Sequence, residues 1–144
     1  MPLPDIASAK TMQIATVHDG KPWICTVYFV LHDKKFYWLS LPERRHSKEI
    51  ADDQHVAIAV AIKQNKPVIG IQAEGVARMI EGGAEVAVAL SLYVEKYGQG
   101  KDFVQRFVAG ENQHSLYCMT PTKMMLFDEY TSRKMPYRDI TNSY

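Results

Sequence analysis

The chain has 144 residues, of which 47% are hydrophobic and 23% are charged, and its net charge at pH 7 is +1. This size and composition are typical of one globular domain with a proper core, whereas a dedicated nucleic-acid-binding protein carries a strong basic excess. The two cysteines, Cys25 and Cys118, do not make a disulfide framework or a metal knuckle. We therefore expect a single domain over residues 1–144 that does not bind nucleic acid.

Two features of the sequence, its N-terminal residues and the length of its apolar runs, indicate where the protein is located. Residues 1–10 lack the apolar core of a signal peptide, and no apolar run is long enough to span a membrane. The sequence therefore predicts a cytoplasmic protein without a membrane partner.

A short helix or arm is predicted at residues 4–9, followed by two strands at residues 11–17 and 23–31. The turn between the strands, residues 18–21, is typical of a hairpin. Apolar side chains occupy both faces of the second strand, so we expect it to be covered on both sides. A small barrel buries only one face, and a second cover, such as a partner subunit, is therefore implied.

A basic corner follows the next strand, an aromatic segment at residues 36–39. The run Ser40-Leu41-Pro42-Glu43-Arg44-Arg45-His46-Ser47-Lys48 opens a short helix that we expect to end near Ala51. The first turn of a helix has unpaired N–H groups and a positive dipole end, and nearby cations add to its attraction for anions. The corner is therefore a candidate phosphate site, and a solvated basic turn is the alternative.

The strand predicted at residues 55–62 alternates between branched apolar residues and alanines. Its second face consists of Ala57, Ala59 and Ala61, which indicates that another group approaches closely. That group is a helix, a second subunit or a flat ligand, and of these we expect a helix.

A long strand at residues 68–80 contains Gly70 and Gly75, which indicate a bulge or a close backbone approach. Two helices and then two strands are predicted after it, at residues 84–97, 102–108, 115–119 and 123–130. The dipeptide Thr120-Pro121 parts the last two strands. Hairpin-linked antiparallel strands with segregated helices make a mainly β, barrel-type fold with added helices.

The common catalytic motifs are absent from the sequence. It contains no phosphate-binding glycine loop, no dinucleotide-binding fingerprint, no nucleophile elbow and no zinc-binding H-E-x-x-H. The five histidines have no short metal-ligand spacing, so we expect no metal site. If the protein is an enzyme, a cofactor supplies the chemistry and the protein positions it.

An ordered set of segments carries a resemblance to a known family. The segments are Ala15-Thr16-Val17, Gly20-Lys21-Pro22, the aromatic strand that ends at Ser40, Arg45-His46-Ser47-Lys48-Glu49-Ile50, the strand from His55 and the segment from Gly70 to Ala77. Together they resemble the pyridoxamine 5′-phosphate oxidase-like, FMN-binding split-barrel family. The resemblance implies an antiparallel split β-barrel of the Greek-key type and a homodimer with FMN at the subunit interface.

The resemblance also implies roles for individual residues. The flavin phosphate is expected at Ser40, Arg45 and His46, with Lys48 or Arg44 as alternatives. The flavin ring is expected along the backbone of a strand and near a later strand, at Thr26, Val27, Tyr28, Gly70 and Gln72. An ordinary solvated strand residue is an equal alternative for Gln72.

The chain also departs from the oxidases that name the family. Those enzymes carry basic residues at both ends of the strand matching residues 24–29 and an Arg-x-His pair near the C-terminus, whereas this chain has no histidine after His114. We therefore expect an FMN-dependent oxidoreductase of another, unknown substrate. The alternatives are a non-catalytic flavin- or haem-binding protein of stress response or haem handling and, against the near-neutral charge, a barrel that stacks RNA bases.

Overall fold

The computed structural model describes residues 4–100, 102–130 and 134–143. Its strands are β1 (Thr11–His18), β2 (Lys21–Tyr28), β3 (Val30–His32), β4 (Lys35–Ser40), β5 (His55–Lys63), β6 (Ile69–Ile80), β7 (Ser115–Asp128) and β8 (Tyr137–Asp139). Its helices are α1 (Arg45–Asp52), α2 (Ala84–Tyr97) and α3 (Phe103–Val108), preceded by a 3-10 turn at Ile6–Ser8.

The strands of the described residues form one antiparallel sheet in the order β2-β1-β5-β6-β7-β4-β3, with β8 paired to β7. The sheet curls into a barrel that stays split, because its end strands β2 and β3 do not pair with each other in this order. The predicted mainly β, antiparallel split barrel with few helices is therefore confirmed. The split lies beside the basic corner, since α1 follows β4 directly and contacts β2.

The barrel core is built from the inward faces of alternating strands. On β5, Val56, Ile58 and Val60 are all at most 6% exposed. The large rings at the centre are also buried, and Trp38 stacks on Tyr117 with 5.8 Å between ring centroids. Burying one such side chain stabilises a fold by about 1.5–3 kcal/mol, so this alternation fixes the register of the sheet.

A second, smaller core lies between α2 and the sheet, and a polar cluster closes its edge. Glu85, in the first turn of α2, accepts a hydrogen bond of 2.8 Å from the hydroxyl of Tyr37. Two cations also approach the same carboxylate, Lys35 at 3.6 Å and Arg78 at 3.5 Å. The cluster ties α2 to β4 and β6.

We expect Tyr37→Phe to lower the free energy of unfolding by about 1–2 kcal/mol, because a hydroxyl bonded to a partly exposed carboxylate is lost. Tyr37 is 2% exposed, so the remaining ring still packs. Urea unfolding measures the change, and Tyr130→Phe is the matched control because Tyr130 is 78% exposed. Equal stability of the two variants would show that the Tyr37–Glu85 bond does not stabilise the fold.

Two predicted strand boundaries are wrong. The strands expected at residues 115–119 and 123–130 are one strand, β7, which runs through Pro121. A proline is tolerated there because the β6–β7 register shifts between Glu74 and Gly75, opposite this point. The strand expected at residues 23–31 is broken at Phe29, whose N–H donates to the hydroxyl of Tyr97 at 3.0 Å.

The outward face of the sheet also differs from the prediction. Ala57 and Ala61 are exposed, so the expectation that a helix covers the alanine face is wrong. Within one chain β2 is likewise covered on one face only, because Ile24 is 60% and Tyr28 is 57% exposed. The outward side of β2, β1 and β5 thus presents small and apolar side chains, with the polar Thr26 and Gln13 among them.

Candidate functional site

The basic corner is built where β4 ends and α1 begins. Ser40 is the last residue of β4 and His46 is the second residue of α1, and both side chains are buried. The Nε2 atom of His46 lies 2.8 Å from the Oγ atom of Ser40. The loop between them is short enough to fold the hydroxyl back onto the imidazole, so these two predicted site residues are brought together.

Among the residues that the structure describes, none caps the first turn of α1 with its side chain. Arg44 occupies the N-cap position in an extended conformation. In addition, the Oγ atom of Ser47 is buried and has no hydrogen-bond partner among the described residues. Uncapped N–H groups and an unpartnered hydroxyl at a helix N-terminus suit an oxyanion, so these residues fit a phosphate group.

The cations at the corner divide into two groups. Arg44 and Lys48 are exposed, and the ion pairs found among the described residues include neither of them. Arg45, in contrast, donates from Nε to Oε2 of Glu49 at 2.8 Å, and its guanidinium lies 4.1 Å from the ring centroid of Trp23. The two arginines therefore have different surroundings despite being adjacent in sequence.

Burial and neighbouring charges set the protonation of the corner. Burial lowers the pKa of His46, the charge of Arg44 lowers it further, and Glu49 acts in the opposite direction. The hydrogen bond from Arg45 is the main reason that the pKa of Glu49 is lowered, and a bond from Thr16 adds to it. The neutral imidazole and the ionised carboxylate are therefore the forms that the folded chain favours.

The predicted ring-binding residues do not all meet within one chain. Thr26, Val27 and Tyr28 lie on β2, the end strand of the sheet, where Val27 points into the core and the other two are exposed. Gln72 lies on β6, and the pairings that link it to Thr26 run through Gln13 and Ala59.

Three strand spacings therefore separate Gln72 from Thr26 on the same outward face, which is roughly 14 Å. Gly70 lies two residues before Gln72 on β6 and is half-buried. The basic corner and β2 are neighbours in the fold, whereas Gly70 and Gln72 lie apart from both. The roles of all the predicted site residues stay predictions.

Sequence reasoning missed two residues at the corner, Glu49 and Thr16. Glu49 is 6% exposed and also accepts a hydrogen bond of 2.8 Å from the hydroxyl of Thr16. Its spacing of four residues from Arg45 is a helix-pair signal that the sequence does contain. No local signal marks Thr16, because its partner lies on a different element.

The comparison with protein families agrees with the predicted resemblance. A family model for pyridoxamine 5′-phosphate oxidase matches residues 4–128. The chain belongs to this family. The matched range includes β1 to β7 and therefore both the basic corner and β2. No curated protein matches the chain in sequence.

Solved structures share the fold of this family member at low sequence identity. Rv2991, a conserved hypothetical protein of Mycobacterium tuberculosis, is 18% identical with a TM-score of 0.74, over 87% of this chain and 81% of its own. HutZ, the haem storage protein of Vibrio cholerae, is 19% identical with a TM-score of 0.65, over 81% and 84%. An FAD-binding protein of Mesorhizobium loti is 12% identical with a TM-score of 0.61, over 83% and 86%. At these identities the likeness shows the fold alone.

Two further observations concern the described part of the chain only. None of its helices has the length and apolar character needed to cross a membrane. Within residues 4–100, 102–130 and 134–143, no group of three or more histidine, cysteine, aspartate or glutamate side chains could hold a metal ion.

Proposed function

We propose that this protein is a cytoplasmic flavoprotein that binds FMN and acts as an oxidoreductase on an unknown small molecule. The observation that carries the proposal is the corner at α1, where Ser40 and His46 are paired beside an uncapped helix turn and the unpartnered hydroxyl of Ser47. This set of donors suits a phosphate monoester such as the terminal group of FMN, so we favour FMN as the flavin.

In this proposal the basic corner binds the phosphate of FMN, and strand β2 binds the flavin ring. Ser40 and Ser47 would hold the phosphate by hydrogen bonds, His46 would orient the Ser40 hydroxyl through its Nε2 atom, and the exposed Arg44 and Lys48 would offset the phosphate charge. The end strand β2 has an edge without a neighbouring strand in the sheet, so its backbone groups from Thr26 to Tyr28 can bond the flavin ring. Bound FMN supplies hydride or electron transfer.

A homodimer is part of this proposal. The outward face of β2 and β5 exposes Ile24, Tyr28 and the alanines, and a second copy of the chain placed there would cover it. A second copy could also bring its β6, with Gly70 and Gln72, to a flavin held on the first. Cofactor binding and dimer formation would then stabilise each other.

Haem binding is a second candidate function, and two observations at His55 favour it. The Nδ1 atom of His55 lies 2.7 Å from Asp53, while 75% of the side chain is exposed, so Nε2 is accessible to a metal. His55 also borders a groove of about 560 Å³ whose lining includes Ala15, Val56 and Ala57. His46 is a poorer axial ligand because its Nε2 already faces Ser40.

We expect the purified protein to bind FMN with a dissociation constant of about 1 μM or below. The measurement is titration of flavin fluorescence, together with the visible spectrum of the protein as purified and the mass of any released cofactor. Anaerobic bleaching of the bound flavin by a reduced nicotinamide cofactor would support the oxidoreductase role.

Riboflavin and haemin serve as comparison ligands in the same titration. A colourless protein whose addition leaves FMN fluorescence unchanged would contradict the flavin proposal. Saturable haemin binding that His55→Ala abolishes, without FMN binding, would replace it with the haem function.

A further inference from the structure

Four side chains join three elements around the basic corner. Arg45 on α1 bonds Glu49 on the same helix, Glu49 bonds Thr16 on β1, and the guanidinium of Arg45 lies over Trp23 on β2. We call these residues, Thr16, Trp23, Arg45 and Glu49, the Arg45 latch. The latch connects the helix that carries the candidate phosphate site to the strand that carries the candidate ring site.

Arg45 cannot leave the latch without leaving a buried charge behind. The side chain of Glu49 is only 8% exposed, and Arg45 is the cation that pairs with it. If Arg45 turned toward a phosphate, Glu49 would keep only the hydroxyl of Thr16. A buried carboxylate without its cation is strongly unfavourable, so Arg45 stays with Glu49 when an anion binds.

The contact of Arg45 with Trp23 also holds the arginine in the latch. Its guanidinium is 4.1 Å from the centroid of Trp23, a stacking geometry that holds the planar group against β2. Arg44 and Lys48 are exposed at the same corner and can meet an anion without breaking any ion pair found in the described chain. The corner therefore has cations for the phosphate besides Arg45.

We propose that Arg45 is a positioning residue, held by Glu49 and Trp23, and that the Arg45 latch sets the distance between the phosphate site and the ring site. This inference rests on the proposed FMN function and gives Arg45 a role beyond the phosphate contact that the family resemblance implies.

The substitution Glu49→Gln tests the latch by the sign of its effect. If the latch has no positioning role, the substitution only removes a negative charge beside the phosphate site, and FMN binding should stay equal or become tighter. If the latch positions the two sites, Glu49→Gln loosens α1 from β1 and β2 and weakens FMN binding. Riboflavin has no phosphate and occupies only the ring site, so its affinity should change little.

We expect Glu49→Gln to weaken FMN binding about tenfold and to change riboflavin binding less than about twofold. The two dissociation constants are measured by fluorescence titration for wild type, Glu49→Gln and a control, Glu95→Gln, which makes the same chemical change at an exposed position of α2. Trp23→Leu removes the stacking partner and leaves the Arg45–Glu49 pair, so it should shift FMN affinity in the same direction by a smaller factor.

The outcomes distinguish failure of the latch from failure of the flavin proposal. Equal or tighter FMN binding by Glu49→Gln overturns the latch while wild-type FMN binding stands. If wild type binds no flavin, the proposed function fails, and the latch is tested by the fluorescence of Trp23 without ligand. A difference spectrum against Trp23→Phe isolates that signal, and Glu49→Gln should shift it. An unchanged Trp23 spectrum overturns the latch.

Discussion

Replacing Gly75 by alanine is expected to lower the free energy of unfolding by about 3 kcal/mol, because the position has no room for a Cβ atom. An ideal Cβ built on Gly75 would lie 2.1 Å from the carbonyl oxygen of Thr120 and 2.9 Å from Cα of Pro121. Both are backbone atoms, so no rotamer change relieves the overlap. The strands β6 and β7 would have to separate at their register shift, which lies in the middle of the sheet.

Gly70→Ala is the matched control for this prediction, since it makes the same change on the same strand. A Cβ at Gly70 would lie 3.2 Å from the carbonyl oxygen of Val60, which a small adjustment relieves. We expect a loss of about 1 kcal/mol or less for this control. Urea unfolding of both variants gives the comparison, and a similar loss in both would mean that β7 adjusts freely around Gly75.

Local signals in the sequence were sufficient for most of the fold. The turns at Asp19-Gly20 and Asp33-Lys34 have the positive φ angles that two-residue hairpins require. The helix predicted at residues 84–97 is α2 with the same limits, and Gly98 closes it in the left-handed conformation. In each case the residues that determine the structure are neighbours in the chain, so pattern and propensity suffice.

The errors in the fold arise where distant residues decide the outcome. Pro121 has the local signature of a strand breaker, yet β7 continues because its register against β6 shifts there, with Thr122 as the extra residue opposite Glu74 and Gly75. The break at Phe29 depends on Tyr97, which lies on α2 and bonds the backbone there. The helix expected over the alanine face was wrong because composition reveals only that the face is small, and tertiary structure decides what covers it.

In the candidate site too, features set by neighbouring residues could be predicted, and features set by distant residues could not. Ser40 and His46 are six residues apart across a strand end and a helix start, so a local pattern could bring them together, and the structure does so. The surroundings of Arg45 depend on Thr16 and Trp23, which lie on other strands and could not be foreseen from the corner alone. The positions of Gly70 and Gln72 relative to β2 follow from the strand order, which the sequence does not specify.

Binding of the flavin phosphate is expected to be coupled to proton uptake by His46. In the free protein, burial and the charge of Arg44 hold the pKa of His46 below its usual value of 6.5, with Glu49 opposing them. A phosphate dianion at the corner favours the imidazolium form and raises this pKa. FMN affinity should therefore increase as pH falls through the interval between the two pKa values.

His46→Gln is the control, because glutamine can still hydrogen-bond Ser40 but cannot take up a proton. The FMN phosphate itself titrates near pH 6, so the quantity to follow is the ratio of the wild-type to the variant affinity constant. We expect this ratio to rise about tenfold between pH 7.5 and pH 5.5, which corresponds to one unit of pKa change. Riboflavin should show no such rise, and a constant ratio for FMN would contradict the role of His46.

The same pKa shift makes a separate prediction for the flavin-free protein. Because the folded state favours neutral His46, the unfolded chain binds a proton first as the pH is lowered through about 6.5. The contribution of His46 to stability is therefore complete above pH 6.5 and declines below it, until the folded state also protonates. His46→Gln should remove this decline from the pH dependence of urea unfolding. Bound FMN should remove the decline as well. A phosphate that raises the pKa of His46 in the folded state brings it back toward the value in the unfolded chain, so acid no longer favours unfolding through this residue.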